Sequence, residues 1–333
     1  VRHVRATAQF GHGYAQCLAP IGDLVADGGV GCEEIVWHGK IYLVVVNIIT
    51  LYYYCNTPSI NKRTMTDSQY HSDPRIGRSG LQDLSRSPYH YWAKYLDPKR
   101  GPESPTPAMR LGTATHALIL EGAEDFADKI AVEPDRWPTK AECGISIEQQ
   151  KIDFQTANAG KTIITPEQSA LAMNMRQSVM AHPAARLLLS KGSPERTLMY
   201  DHPLTGSPSK AKPDWDSVTD NGLIVDLKTA QDASESEFAR ACVNHWYHVQ
   251  TAWYLDGYLA TTGEMPKGFV FIVVENTAPH QVAVYYAPPE MIALGRRIYE
   301  PVLERYEQCR QDNTWPGYGD EIRALNLPAW AFK

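Results

Sequence analysis

The sequence predicts a mixed α/β domain with a central mixed β-sheet flanked by helices. Three observations carry this. Residues 196–200, 209–218 and 222–228 read as strands of a meander, separated by Gly, Pro and Asn turns. Residues 268–275 (GFVFIVVE) are a continuous apolar run, as in a strand covered on both faces, and 281–286 follow as another strand. Helical stretches at 239–261 and 288–311 alternate with these strands, and that alternation is the signature of layered α/β architecture.

The chain has 333 residues, enough for one large domain or two small ones. Its first 64 residues show no clean helical or strand period. Within them, 41–55 (IYLVVVNIITLYYYC) is apolar but shorter than the ~20 residues of a spanning helix. His38 and Lys40 sit beside it, and no signal-peptide pattern is evident, so no membrane role is expected. The folded unit is expected to start near Met65, giving an N-terminal extension (1–64) and a domain (65–333). Two readings of the extension stand. One is a non-native or poorly ordered segment; the other is a small β-region, because 41–49 is β-prone.

Along the domain, Ser79 is placed to cap a helix running through Leu81 and Leu84, and Ser87-Pro88 restarts it into Tyr89, Tyr91, Trp92 and Leu96. Residues 97–107 form a Pro-rich loop. Residues 112–121 (GTATHALILE) read as a buried helix and 123–161 as polar, irregular chain. A helix with Pro in its first turn is expected over 166–181, and a shorter one over 183–190. Leu325, Leu327 and Trp330 close the chain.

The net charge is −6, from 32 Lys+Arg against 38 Asp+Glu. That excludes a global basic field but leaves room for a local basic groove. Six cysteines with no CxxC argue against a zinc ribbon, a thioredoxin motif and a disulfide-dense fold, and point to a reduced cytoplasmic compartment.

The chemistry centres on Pro213-Asp214 and Asp226-Leu227-Lys228. Side chains at i and i+2 of a strand share a face, so Asp226 and Lys228 project together. A hairpin turning at Asn221-Gly222 brings Asp214 to them. Paired carboxylates suit a hard divalent cation such as Mg²⁺, and a neighbouring lysine can orient or deprotonate the attacking water. The triplet by itself reads first as a salt bridge at a strand end. His116 alone reads as a core histidine. Gln250 and Tyr254, one helical turn apart, alone read as packing with a polar rim.

Taken in order, GTxxH, PD, DxK and QxxxY resemble the PD-(D/E)xK nuclease superfamily in its RecB-like branch, among exodeoxyribonuclease VIII-type (RecE-like) exonucleases and their phage relatives. The resemblance runs from about residue 70 to residue 330 and includes GKTIIT (160–165), QSVMAHP (177–183), YHVQTAWY (247–254) and LNLPAW (325–330). It implies a restriction-endonuclease-like core. It implies metal ligands at His116, Asp214, Asp226 and the Leu227 carbonyl, with Glu195 as a further acidic residue facing the metals. Lys228 matches the catalytic lysine, and Gln250 and Tyr254 match the motif that supports the site and the nearby DNA strand. It further implies Mg²⁺ (Mn²⁺ as substitute), one ion or two. The implied substrate is linear double-stranded DNA, digested from 5′ ends to leave 3′ single strands for an annealing protein, and the implied assembly is a ring-shaped homotetramer.

Two rival functions remain: a structure-specific or single-strand endonuclease with the same site, and an inactive DNA-binding phage accessory protein. The second fits less well, because every position of the set is filled. Gly160-Lys161-Thr162 is not a P-loop, since residue 155 is Gln and no strand precedes it. Cys143, Cys242 and Cys309 are too few for a four-cysteine iron–sulfur cluster. Arg75, Arg78, Arg86, Lys94, Lys99, Arg100 and Arg110, interleaved with Tyr89, Tyr91 and Trp92, form either a DNA-facing patch or a solvated helix face.

Overall fold

The computed structural model describes residues 65, 67–101, 104–327 and 331. The expectations for residues 1–64 and for Trp330 lie outside the described residues. Helix α1 (Asp67–Ser72) leads through Ile76 into α2 (Arg78–Arg86). Gly77, not Ser79, is the N-cap of α2. The reason is tertiary: the Ile76 N–H donates to Pro208 O (3.0 Å) and Ile76 O accepts from the Lys210 N–H (2.9 Å), so the chain stays extended to Ile76 and coils directly after it. Ser87 does cap the next turn, Pro88–Tyr91, which passes into a π-helical turn, Trp92–Leu96.

Helix α3 (Pro107–His116) also runs into a π-helical turn, Ala117–Glu121, whose first four residues are buried. The segment expected to be irregular holds three short helices, Ala123–Lys129, Lys140–Cys143 and Ile147–Ala157. It also contributes β1 (Ile130–Val132), which pairs in parallel with β2 (Thr162–Ile164). These helices bury no residue, so no apolar period marks them. Helix Ile147–Ala157 instead starts at a Ser146 cap. Helix α4 (Pro166–Ala181) has the expected bounds, set by a Thr165–Gln168 capping box with Pro166 in the first turn.

The expected three-strand meander is five strands in two sheets. They are β3 (Ser193–Pro194), β4 (Leu198–Asp201), β5 (Pro208–Ala211), β6 (Trp215–Ser217) and β7 (Leu223–Ala230). β4 and β5 form a separate antiparallel hairpin, while β6 joins the main sheet. Pro213 divides the segment, because it has no N–H to continue a ladder. The helix expected over 239–261 is two, α5 (Glu235–Asn244) and α6 (Tyr247–Thr262), broken at Trp246, whose φ is 60°. β8 (Gly268–Glu275), β9 (Val282–Tyr286) and α7 (Pro289–Asp312) complete the domain.

The main sheet has the order β3-β6-β7-β8-β9. β7 and β8 run parallel from Leu223↔Gly268 to Ala230↔Glu275, joined through α5 and α6, and the other neighbours are antiparallel. Helices cover both faces. Ile224, Phe269, Phe271 and Val273 pack with Val249, Trp253, Tyr299 and Leu303 of α6 and α7. Val225, Leu227, Ile272 and Val274 pack with Met175 and Val179 of α4 and with Ile119 and Leu120. By strand alternation Asp226 and Lys228 share the face of Ile224, beneath α6. Among the described residues no helix is long and apolar enough to cross a membrane.

Candidate active site

The β6–β7 ladder ends at Trp215↔Val225. One residue further along that register, Asp214 stands opposite Asp226. There the strand pairing is replaced by a side chain: Asp214 Oδ2 accepts the Leu227 N–H at 2.9 Å. N–H and C=O of a strand residue face the same edge. The Leu227 carbonyl is therefore turned toward the edge where β6 has ended, although the Leu227 side chain is core.

Three ligand-type atoms converge here. One atom each from His116, Glu195 and Asp214 lies within 4.8 Å of the others. His116, at the junction of α3 and its π-helical turn, places Nδ1 3.5 Å from Asp214 Oδ2. Glu195 follows β3, and its N–H donates to Asp214 O at 3.0 Å. Its φ of 53° is a left-handed conformation that costs energy for a residue with a Cβ, and such strain concentrates at functional sites.

Asp226 is fully buried and is held differently. Its Oδ1 accepts from Gln250 Nε2 at 2.6 Å, and its Oδ2 is ion-paired with Lys228 Nζ. It stands outside the trio of converging ligand atoms. Gln250 also accepts from Arg78 of α2 (3.2 Å), which makes a chain Arg78–Gln250–Asp226. Tyr254 shares that face of α6 and lines the cleft beside Asp214.

The charges conflict. Burial, then the facing Asp226 carboxylate, push the Asp214 pKa up to about 7, against the pull of His116 and Lys228. Burial works to lower the Lys228 pKa, but Asp226, Asp214 and Tyr247 outweigh it and raise it, so the side chain is an ammonium. An imidazole and facing carboxylates in electrostatic conflict, with ligand atoms of three residues converging, are what a divalent cation would resolve. The residues present fit one.

Two clefts meet at His116 and Glu195 of the trio. One, of about 470 Å³, runs along the N-terminus of α2 past Arg75, Arg78, Arg100 and Tyr95. The other, of about 720 Å³, lies between α3 and Thr162 of β2. Of the basic patch in the sequence, those three arginines reach the first cleft. Tyr91 is core, Lys94 pairs with Asp83 at 3.0 Å, and Arg86 and Lys99 are exposed. Two residues escaped the sequence reading. Tyr247 sets its ring 4.6 Å from Lys228 Nζ, and Lys212 pairs with Glu195 at 2.6 Å. Each had a signal, since Tyr247 is i−3 from Gln250 and Lys212 is i−2 from Asp214.

A sheet whose central parallel strand carries an Asp-x-Lys pair, with a second Asp at the end of the neighbouring strand, defines a PD-(D/E)xK nuclease-like domain. The chain belongs to the family of PDDEXK-like domains of unknown function designated DUF3799, which matches residues 77–328. Among solved structures, a protein from Eubacterium rectale described as "Putative exonuclease" aligns with 80% of this chain and 96% of its own, with a TM-score of 0.53 and 15% identity. At that identity the likeness is of fold alone. SSO0001 aligns with 59% of this chain and 84% of its own at 14% identity, and its TM-score of 0.26 carries no argument. No curated protein matches the chain.

Proposed function

We propose that residues 65–333 form a divalent-cation-dependent exodeoxyribonuclease acting on ends of linear double-stranded DNA. The observation that carries this reading is the meeting of His116, Glu195 and Asp214 beside the Asp226–Lys228 pair at the junction of two clefts. His116, Glu195, Asp214, Asp226 and the Leu227 carbonyl would hold the cation, Mg²⁺ with Mn²⁺ as substitute. Bound there, it supplies positive charge that activates water and offsets the charge developing on the phosphate.

The chain's own residues do the rest. Lys228, held on Asp226 and against the Tyr247 ring, is charged, so it orients water and neutralises developing charge rather than taking a proton. Gln250 fixes the Asp226 carboxylate from α6. Tyr254 and the arginines of the first cleft flank the strand. Digestion from 5′ ends, delivery of 3′ strands to an annealing protein and a ring tetramer belong to the same proposal through the family resemblance. A basic channel lining would let a chain of net charge −6 hold DNA.

The test follows 5′- and 3′-labelled linear duplex with Mg²⁺ beside a covalently closed circle. Early release of the 5′ label with the circle intact is expected, and Lys228→Ala should abolish cleavage while DNA binding survives. Nicking of the circle would replace the exonuclease with an endonuclease. No cleavage with Mg²⁺ or Mn²⁺ would refute the enzyme.

A further inference from the structure

We propose that Lys212 is a displaceable counter-ion of this site. It holds Glu195 while no cation is bound, and it turns its ammonium to a backbone phosphate of the nucleic acid once Glu195 engages a cation. The inference deepens the nuclease reading and rests on it.

Pro213 restricts Lys212 to extended backbone, and Lys212 and Asp214 both line the first cleft. Lys212 Nζ lies 2.6 Å from Glu195 Oε2, with its side chain 14% exposed. The Tyr70 ring lies 5.3 Å from that nitrogen. Lys212 lines both clefts, as do His116 and Glu195, so its ammonium has room to leave Glu195 toward either.

Apart from Lys228, whose partner Asp226 lies outside the trio but would also help hold the cation, the neighbouring cations are tied to groups a cation at the trio would not take. Arg75 pairs with Asp73 (2.7 Å), Lys210 donates to the Tyr70 and Asp73 carbonyls (2.6 and 2.8 Å), and Arg78 bonds Gln82 and Gln250 (3.0 and 3.2 Å). Lys228 is held on Asp226, which Gln250 also secures. Lys212 alone among these shares its carboxylate with the trio. Cation and ammonium then compete for one carboxylate. A bound divalent cation makes the pocket net positive and repels the nearest ammonium, and the anion that next enters is a phosphodiester. Cation binding and phosphate binding are coupled through one side chain, and reciprocally so.

The test uses the full chain, with Mg²⁺ affinity read by calorimetry. Binding of a blunt DNA duplex is read at several salt concentrations, in Ca²⁺ and in EDTA. Lys212→Met should bind Mg²⁺ at least about threefold more tightly, because a like charge beside the ligand is gone. In Ca²⁺ it should lose DNA affinity, with a salt slope shallower by about one phosphate contact. In EDTA its DNA affinity should match wild type. Lys212→Arg should behave as wild type. Glu195→Gln, which removes the Glu195 charge from beside the ammonium without metal, should raise DNA affinity in EDTA, and it keeps the test open if the Met variant misfolds. Weaker or unchanged Mg²⁺ binding in Lys212→Met, or equal DNA losses in Ca²⁺ and EDTA, would overturn the role of Lys212 alone. Wild type that neither binds Mg²⁺ nor cleaves DNA would overturn the nuclease reading itself.

Discussion

Lowering the pH from 8 to 6 in the metal-free protein should place a proton on Asp214. Its pKa, pushed up to about 7 by burial and by Asp226, leaves about nine in ten copies protonated at pH 6 and about one in ten at pH 8. A cation needs the ionised form, so proton and cation compete. The apparent Mg²⁺ affinity should fall about tenfold between pH 8 and pH 6, with close to one proton released per ion at pH 6. Calorimetry in buffers of different ionisation enthalpy reads both quantities. Equal affinities at the two pH values, or no proton release at pH 6, would refute the argument.

The same shift acts on stability. The folded carboxyl has the higher pKa, so between about pH 4 and pH 7 the folded state binds more protons than the unfolded chain. Stability is therefore lost as pH rises through that window, by about 4 kcal/mol at most, and is flat above it. Asp214→Asn removes the charge and keeps an acceptor for the Leu227 N–H. Without cation it should melt above wild type at pH 8 and no higher at pH 4, while losing Mg²⁺ binding. Wild type melting higher at pH 8 would show that the conflict is absent.

Three further outcomes are expected. Gly295→Ala would set a Cβ 2.8 Å from the His248 carbonyl carbon, 2.9 Å from Ala252 Cβ and closer still to His248 O. The α6–α7 contact must open, at about 1–3 kcal/mol, against a helix-propensity gain of about 1 kcal/mol, so the urea midpoint should fall. Arg296→Met would leave Asp256, 5% exposed, without the guanidinium that clasps both its oxygens at 2.7–3.0 Å, and should cost about 3–5 kcal/mol in urea unfolding. Gln250→Leu removes the donor to Asp226 and should slow cleavage about 10–100-fold with DNA binding nearly kept, measured on end-labelled duplex.

What the sequence determined by itself is what local period and local chemistry dictate. The bounds of α4 follow from Thr165, Pro166 and Gln168, and β8 from its unbroken apolar run. Asp226 and Lys228 share a face because strands repeat every two residues, and Gln250 and Tyr254 because helices repeat near every four. Polar helices such as Ile147–Ala157 leave no such mark, and the two halves of 209–218 part at Pro213 because each joins a different sheet. Only the tertiary structure decided which faces meet. Arg78 reaches Gln250 across 172 residues of chain, His116 reaches Asp214 from another helix, and Glu195 turns in a left-handed conformation toward Lys212. Sheet order and helix packing are sums of many long-range contacts, so spacing along the chain fixes the face a side chain occupies but not the partner across from it.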